Sequence, residues 1–344
     1  TLITESRGPD GKVIGRLPEQ VPYLEWRESS YHDGPSCAGC HMPEVSEPVV
    51  IANLLSEPRQ GSRRHESLGG NFVAPALLKR LGTAMPALPQ DLDHASAAAR
   101  RFLAESAAKL SIGEPQLKDG VLEAALIVES STGHKLPTAY PSRRAWLHLT
   151  VKDGGGGLVF ESGAIASSGR IAGNDNDDDA RRFEPHHQVL EQPGDVQIYE
   201  AILGDSQGQV TTGLLQAVTY LKDNRIVPSG FDKHKASADV AVHGQALADQ
   251  DFVGGSDRVL LRIPVGARPA PYRIEAELLY QPIGYRWAEN LRQEGSAEAR
   301  AFGRGFDAVA ASSFQRLAGA VHEGGPSVLA RPPVVSAPAP VVAE

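Results

Sequence analysis

Two cysteines in 344 residues leave this chain little sulfur chemistry. A zinc ribbon wants a second Cys pair, so that class is excluded. No apolar run reaches the ~18 residues that a membrane-crossing helix needs, so any membrane association requires a further segment or a partner. The chain also lacks a basic excess. Its net charge is −8, which argues against nucleic acid or an anionic membrane as the main partner. No Ser/His/Asp arrangement, phosphate-cradling glycine loop or internal repeat is present, and Gly154–Gly157 reads as a hairpin turn. What remains is 41% hydrophobic, enough for a sizeable core.

Both cysteines fall in one short stretch, Cys37-Ala38-Gly39-Cys40-His41. Two thiols separated by two residues, with histidine next, form the attachment pattern for haem c. Each thiol adds across one vinyl group, and the short loop carries His41 to the iron as proximal ligand. A thioredoxin-type dithiol would sit in a βαβ pattern, which is missing here. Both thiols are consumed by the motif, which leaves none for a disulfide. Covalent attachment of this kind takes place outside the bacterial cytoplasm, so the expected location is periplasmic or extracellular.

The expected fold class is α+β. Residues 1–118 read as a haem-binding helical and loop segment. Residues 119–283 read as an antiparallel β-sandwich, 284–325 as a C-terminal helical segment, and 326–344 as a Pro/Ala-rich tail. Pro9, Pro18 and Pro22 mark the start as extended loop, followed by a short helix around Trp26. Helices are predicted over Val73–Leu81, over Leu92–Leu110 behind an Asp91 cap, and across Trp287–Arg292 and Ala297–Val321. Between them, short alternating strands at 121–128, 145–151, 158–160, 195–202, 209–221, 258–265 and 272–280 carry no interleaved helices, the pattern of a sandwich.

Trp26 and Tyr31 stand where they can wall the haem, or equally a core. Arg63 and Arg64 can meet its propionates through bidentate contacts. Met42 adjoins His41 and cannot reach the opposite face of the porphyrin. For the distal iron position His65 ranks first, because Gly69, Gly70 and Asn71 just after it permit close backbone approach. His134, in the loop Thr132–Thr138, ranks second and Met85 third. Water or another chain are the remaining options.

The stretches Glu25-Trp26-Arg27, Cys37–Pro43, His65 with Gly69-Gly70-Asn71, and Gly133-His134-Lys135-Leu136-Pro137-Thr138 resemble secreted multihaem cytochrome c proteins. Tyr140–Arg144, Gly173–Asp177 and Lys222–Arg225 extend the likeness over most of the chain. The resemblance implies that His65 and His134 each cap an iron. Relatives carry several CxxCH motifs and this sequence has one, so two distal-type histidines outnumber the haem. A second haem is then expected from residues before Thr1, which reads as mid-chain, or from a neighbouring subunit. The expected role is one-electron transfer to other cytochromes or redox subunits, within a multihaem chain or multi-subunit complex. An open haem acting on a small inorganic substrate and a structural subunit of a redox assembly are the alternatives.

Further candidates are weaker. Asn174, Asp175, Asp177 and Asp179 crowd hard oxygen donors into one loop, as Ca²⁺ prefers, although the EF-hand pattern is not met. His186, beside His187, can ligate a metal or a second haem. Arg143, Arg144, Lys222, Arg225 and Lys233 can bind propionates or an anionic substrate, or pair with the many aspartates.

Overall fold

The chain is described here by a computed structural model covering residues 1–52, 54, 56–82, 89–325 and 327–328. In chain order its elements are β1 (Leu2–Arg7), β2 (Val13–Gln20), α1 (Pro22–Arg27), α2 (Cys37–His41), α3 (Val73–Leu81), α4 (Pro89–Ser106), β3 (Ala108–Ile112), β4 (Gln116–Lys118), β5 (Val121–Ser130), β6 (Arg144–Lys152), β7 (Leu158–Ser162) and α5 (Asp175–Asp178). Then follow β8 (Val189–Leu190), β9 (Ile198–Asp205), β10 (Val210–Thr211), β11 (Ala217–Asp223), β12 (Ser256–Pro264), β13 (Tyr272–Gln281), α6 (Tyr285–Gln293), α7 (Ala297–Asp307), β14 (Gln315–Gly324) and β15 (Ser327–Val328).

The period-two alternation of the middle of the chain builds two sheets. One runs β10-β9-β6-β13-β14, with β11 also on β9 and β7 on β6. The other runs β15-β4-β5-β12-β8, with β3 also on β5. Alternate side chains of each strand point to one face. Leu122, Ala124, Leu126 and Val128 of β5 and Val259, Leu261 and Ile263 of β12 therefore meet Leu147, Leu149 and Val151 of β6 and Ile274, Ala276 and Leu278 of β13 in one core. The class is α+β, as expected. Pairing is antiparallel except for β8 on β12 and β15 on β4.

The helix expected over 92–110 ends at Ser106, after which β3 pairs with β5, and the strand expected over 209–221 is split into β10 and β11. The two largest differences from the sequence reading lie nearer the ends of the chain. The proline-bearing start is a hairpin, with Gly8-Pro9-Asp10-Gly11 making the turn and Gly11 at φ 75°. It docks on β11, where Gly15 lies so close that a Cβ would sit 2.4 Å from Val218. At the other end, the helix expected across 297–321 stops at Asp307 and the chain returns as β14, paired along β13. Alanine-rich sequence favours helix locally, but a partner strand on the sheet edge outweighs that propensity.

Candidate haem-binding site

Helix α2 is short and needs help to exist. Ser36 caps it by accepting from the Gly39 amide at 3.3 Å, and the Met42 amide returns to the Ala38 carbonyl at 3.1 Å. At its far end Arg63 donates to the carbonyls of Ala38 (3.3 Å) and Met42 (2.9 Å) and to Glu44. A guanidinium at a helix C-terminus satisfies orphan carbonyls and the dipole together. Arg63 is thus committed to the helix backbone rather than free for propionates. Arg64 is exposed and pairs with Glu66 at 3.6 Å. Substituting Arg63 by Ala should destabilise the protein by about 1–2 kcal/mol, read as a lower melting temperature.

Cys37 and Cys40 are both exposed and free. His41 follows them, its Nδ1 donating to the Leu68 carbonyl at 2.5 Å, while its own carbonyl accepts from the Leu68 amide at 2.9 Å. The His134 ring lies 6.1 Å from the His41 ring, centre to centre, with 11° between their planes. His134 also has Nδ1 on a carbonyl, that of Lys135, at 3.0 Å. Both imidazoles are therefore held as the Nδ1–H tautomer, with Nε2 left as a lone pair that has no hydrogen-bond partner among the described residues. Burial pushes His134 below the usual histidine range, which keeps it neutral. Two imidazoles on opposite sides of one metal, with bonds of about 2.0 Å, have ring centres about 6 Å apart. The pair fits that spacing.

Phe102 of α4 packs 5.5 Å from His41, ring to ring. Trp26 and Tyr31 close on Gly133, where a Cβ would stand 3.1 and 3.2 Å from them. These two aromatics brace the loop that carries His134. Beside Leu68 a cavity of about 370 Å³ is lined by Glu66, Gly70, His94, Ala98 and Arg143, among others. His65 is exposed and forms no hydrogen bond among the described residues. Met85 lies outside the described residues.

Behind His134 sits a buried charge network that sequence reasoning did not assemble. Glu25, fully buried on α1, accepts from the Lys135 amide (3.1 Å) and the Thr138 hydroxyl (2.5 Å), and faces Arg225 at 3.3 Å. Lys135 Nζ donates to Asp223 at 2.7 Å and to the Ala241 carbonyl at 3.0 Å. Arg225 holds Asp223 bidentately at 2.8 and 2.7 Å. Two cations and two anions balance, and the loop from β5 to β6 is pinned from below. The clue in the sequence was the run Lys222-Asp223-Asn224-Arg225, too polar for a buried strand end unless it is paired.

The remaining expectations resolve differently. Asp177 accepts from Arg144 at 2.7 and 2.9 Å and from the Ile171 amide. Asp175 pairs with Arg182, Asp178 with Arg170 and Asp179 with Arg181. Asn174 caps α5 through the Asn176 amide. Of the candidate Ca²⁺ ligands, Asp175, Asp177 and Asp179 each face an arginine, so the loop is a docking point for guanidinium groups. Lys222 pairs with Glu200, and Lys233 donates to the carbonyls of Ala246 and Asp249. Arg143 donates to the Thr138 carbonyl and lines the cavity. His186 has both ring nitrogens engaged by protein groups.

No helix among the described residues is long and apolar enough to cross a membrane. No protein-family model matches the chain, and no curated protein matches it. Among solved structures, a penta-haem cytochrome c552 from Thermochromatium tepidum is similar at 15% identity with a TM-score of 0.46, over 93% of this chain and 53% of that one. The chain spans about half the length of that cytochrome.

Proposed function

We propose that this chain is a c-type cytochrome that transfers single electrons through one haem c, which Cys37 and Cys40 would attach and His41 and His134 would hold. The observation that carries the reading is the His41–His134 pair. Its spacing, near-parallel planes and matched Nδ1–H tautomers adjoin two free thiols at haem-attachment spacing. Haem iron supplies a one-electron couple when bound. The protein's part is to fix both imidazoles through their Nδ1–H bonds to backbone carbonyls, so that little rearranges when charge moves. Arg143 is the cation best placed for a propionate, since it lines the cavity beside the His41 element. His134 thus displaces His65 as the distal ligand of this haem. His65 is left for a second haem carried outside this sequence, which would fit a role within a multihaem chain in the periplasm or outside the cell.

Expression with the haem-attachment machinery should add the mass of one haem per polypeptide. Replacing Cys37 and Cys40 together by Ala should abolish that mass. An intact chain that gains no cofactor mass under those conditions rules the proposal out.

A further inference from the structure

His186, Asp249 and Asp257 lie buried together in the sandwich, with one ligand-type atom from each within 4.8 Å of the others. The trio invites a metal reading, and the hydrogen bonds around it oppose that reading. Asn224 Oδ1 accepts from the Glu200 amide at 3.0 Å, and Gln197 Oε1 from the His187 amide at 2.8 Å. Both side-chain amides must therefore turn their NH₂ groups toward His186 Nδ1, at 3.1 and 2.9 Å. Nδ1 is an acceptor, so the proton sits on Nε2 and is donated to Asp249 Oδ2 at 2.9 Å. A metal-bound imidazole requires the opposite tautomer, with its second nitrogen donating.

Asp257 is 1% exposed. Its Oδ2 accepts from the Tyr199 hydroxyl at 2.7 Å and from Gln197 at 3.1 Å. Its Oδ1 is buried with no partner among the described residues, 3.9 Å from His186 Nε2. An unpaired anionic oxygen in a core carries a heavy desolvation cost, and a proton on that oxygen removes it.

We propose that Asp257 is a proton-holding switch: a neutral carboxylic acid in mildly acidic solution that loses its proton near neutrality and then repels Asp249. The groups facing the cluster are consistent with this. Tyr199 comes from β9, Asp249 and Lys233 from the segment before β12, and His187, paired with Glu184, lies next to His186. Lys222 is already matched to Glu200. Burial, joined by Asp249, pushes the Asp257 carboxyl up to about 6 against the Tyr199 hydrogen bond. Burial pushes His186 down to about 4, so the imidazole is not an alternative home for the proton.

Infrared difference spectra between pH 5 and pH 8, on the intact chain, test this. The wild type should show a buried carboxylic-acid carbonyl band at pH 5 that is lost at pH 8 and is missing from D257N. D257N should melt several degrees above the wild type at pH 8, and the gap should narrow at pH 5 and close only as the pH falls below about 4, where the unfolded chain also holds the proton. Equal destabilisation of D257N at both pH values overturns the proposal. So does one bound divalent ion per chain that is lost in D257N. If D257N does not accumulate, Y199F should still shift the wild-type band, and an unmoved band overturns the assignment.

Discussion

Replacing His134 by Ala should convert the loaded protein from a low-spin form indifferent to carbon monoxide into a high-spin form that binds it. The proposed sixth ligand is then gone and the iron position opposite His41 is open. The effect should be complete rather than graded, because the ring is either within bonding distance or absent. His65→Ala should leave the visible spectrum of this haem unchanged, since the exposed His65 ring is not among the neighbours of His41. The reverse pattern, with His65→Ala high-spin and His134→Ala untouched, would return the distal position to His65. A sulfur-to-iron charge-transfer band in the near infrared would assign it to Met85 instead.

The second large effect is expected at Asp223. Asp223→Ala leaves Lys135 and Arg225 in the core with Glu25 as their neighbouring anion. Breaking a buried ion pair from one side costs about 3–5 kcal/mol, a large part of the total stability of a typical domain. Burial alone would raise the Asp223 carboxyl, but Arg225 and Lys135 overcome it and hold the group well below the usual carboxylate range. A depressed folded-state value means that the unfolded chain binds the proton more readily. The contribution of Asp223 is therefore fully present above about pH 4 and declines as the pH falls below that. The variant should lack that acid-side loss in urea or thermal unfolding measured against pH. On the alkaline side the sign reverses. Burial already lowers Lys135, and without Asp223 it falls further. The variant should then gain stability as the pH rises toward 10. A variant that unfolds like the wild type across this range would show that the network does not hold the loop.

Much of the scaffold was legible because it rests on local pattern. The alternation in 121–128, 145–151, 258–265 and 272–280 marks four central strands, and α3 lies on its predicted span. The thiol pair and His41 are adjacent in sequence, so the motif needed no fold to be read. The hairpin of β1 and β2 was missed although Gly8-Pro9-Asp10-Gly11 is a turn signal between alternating stretches. Prolines elsewhere in the segment masked it. The remaining differences are tertiary. Whether His65 or His134 comes close to His41 depends on how the β5–β6 loop is held by Glu25, more than a hundred residues earlier in sequence. Equally, Asp177 reads as a free carboxylate until Arg144 and the Ile171 amide are folded against it.

His41 belongs to the short front helix, whereas His134 hangs from a loop of the sandwich, and the two are far apart in sequence. On the proposed ligation the iron would act as a clasp, fastening the front of the molecule to its body. Closing so long a stretch of chain restricts the unfolded ensemble as a cross-link does. Cofactor loss should then expose the region between Gly34 and Asn71 to proteases well before the sandwich itself gives way.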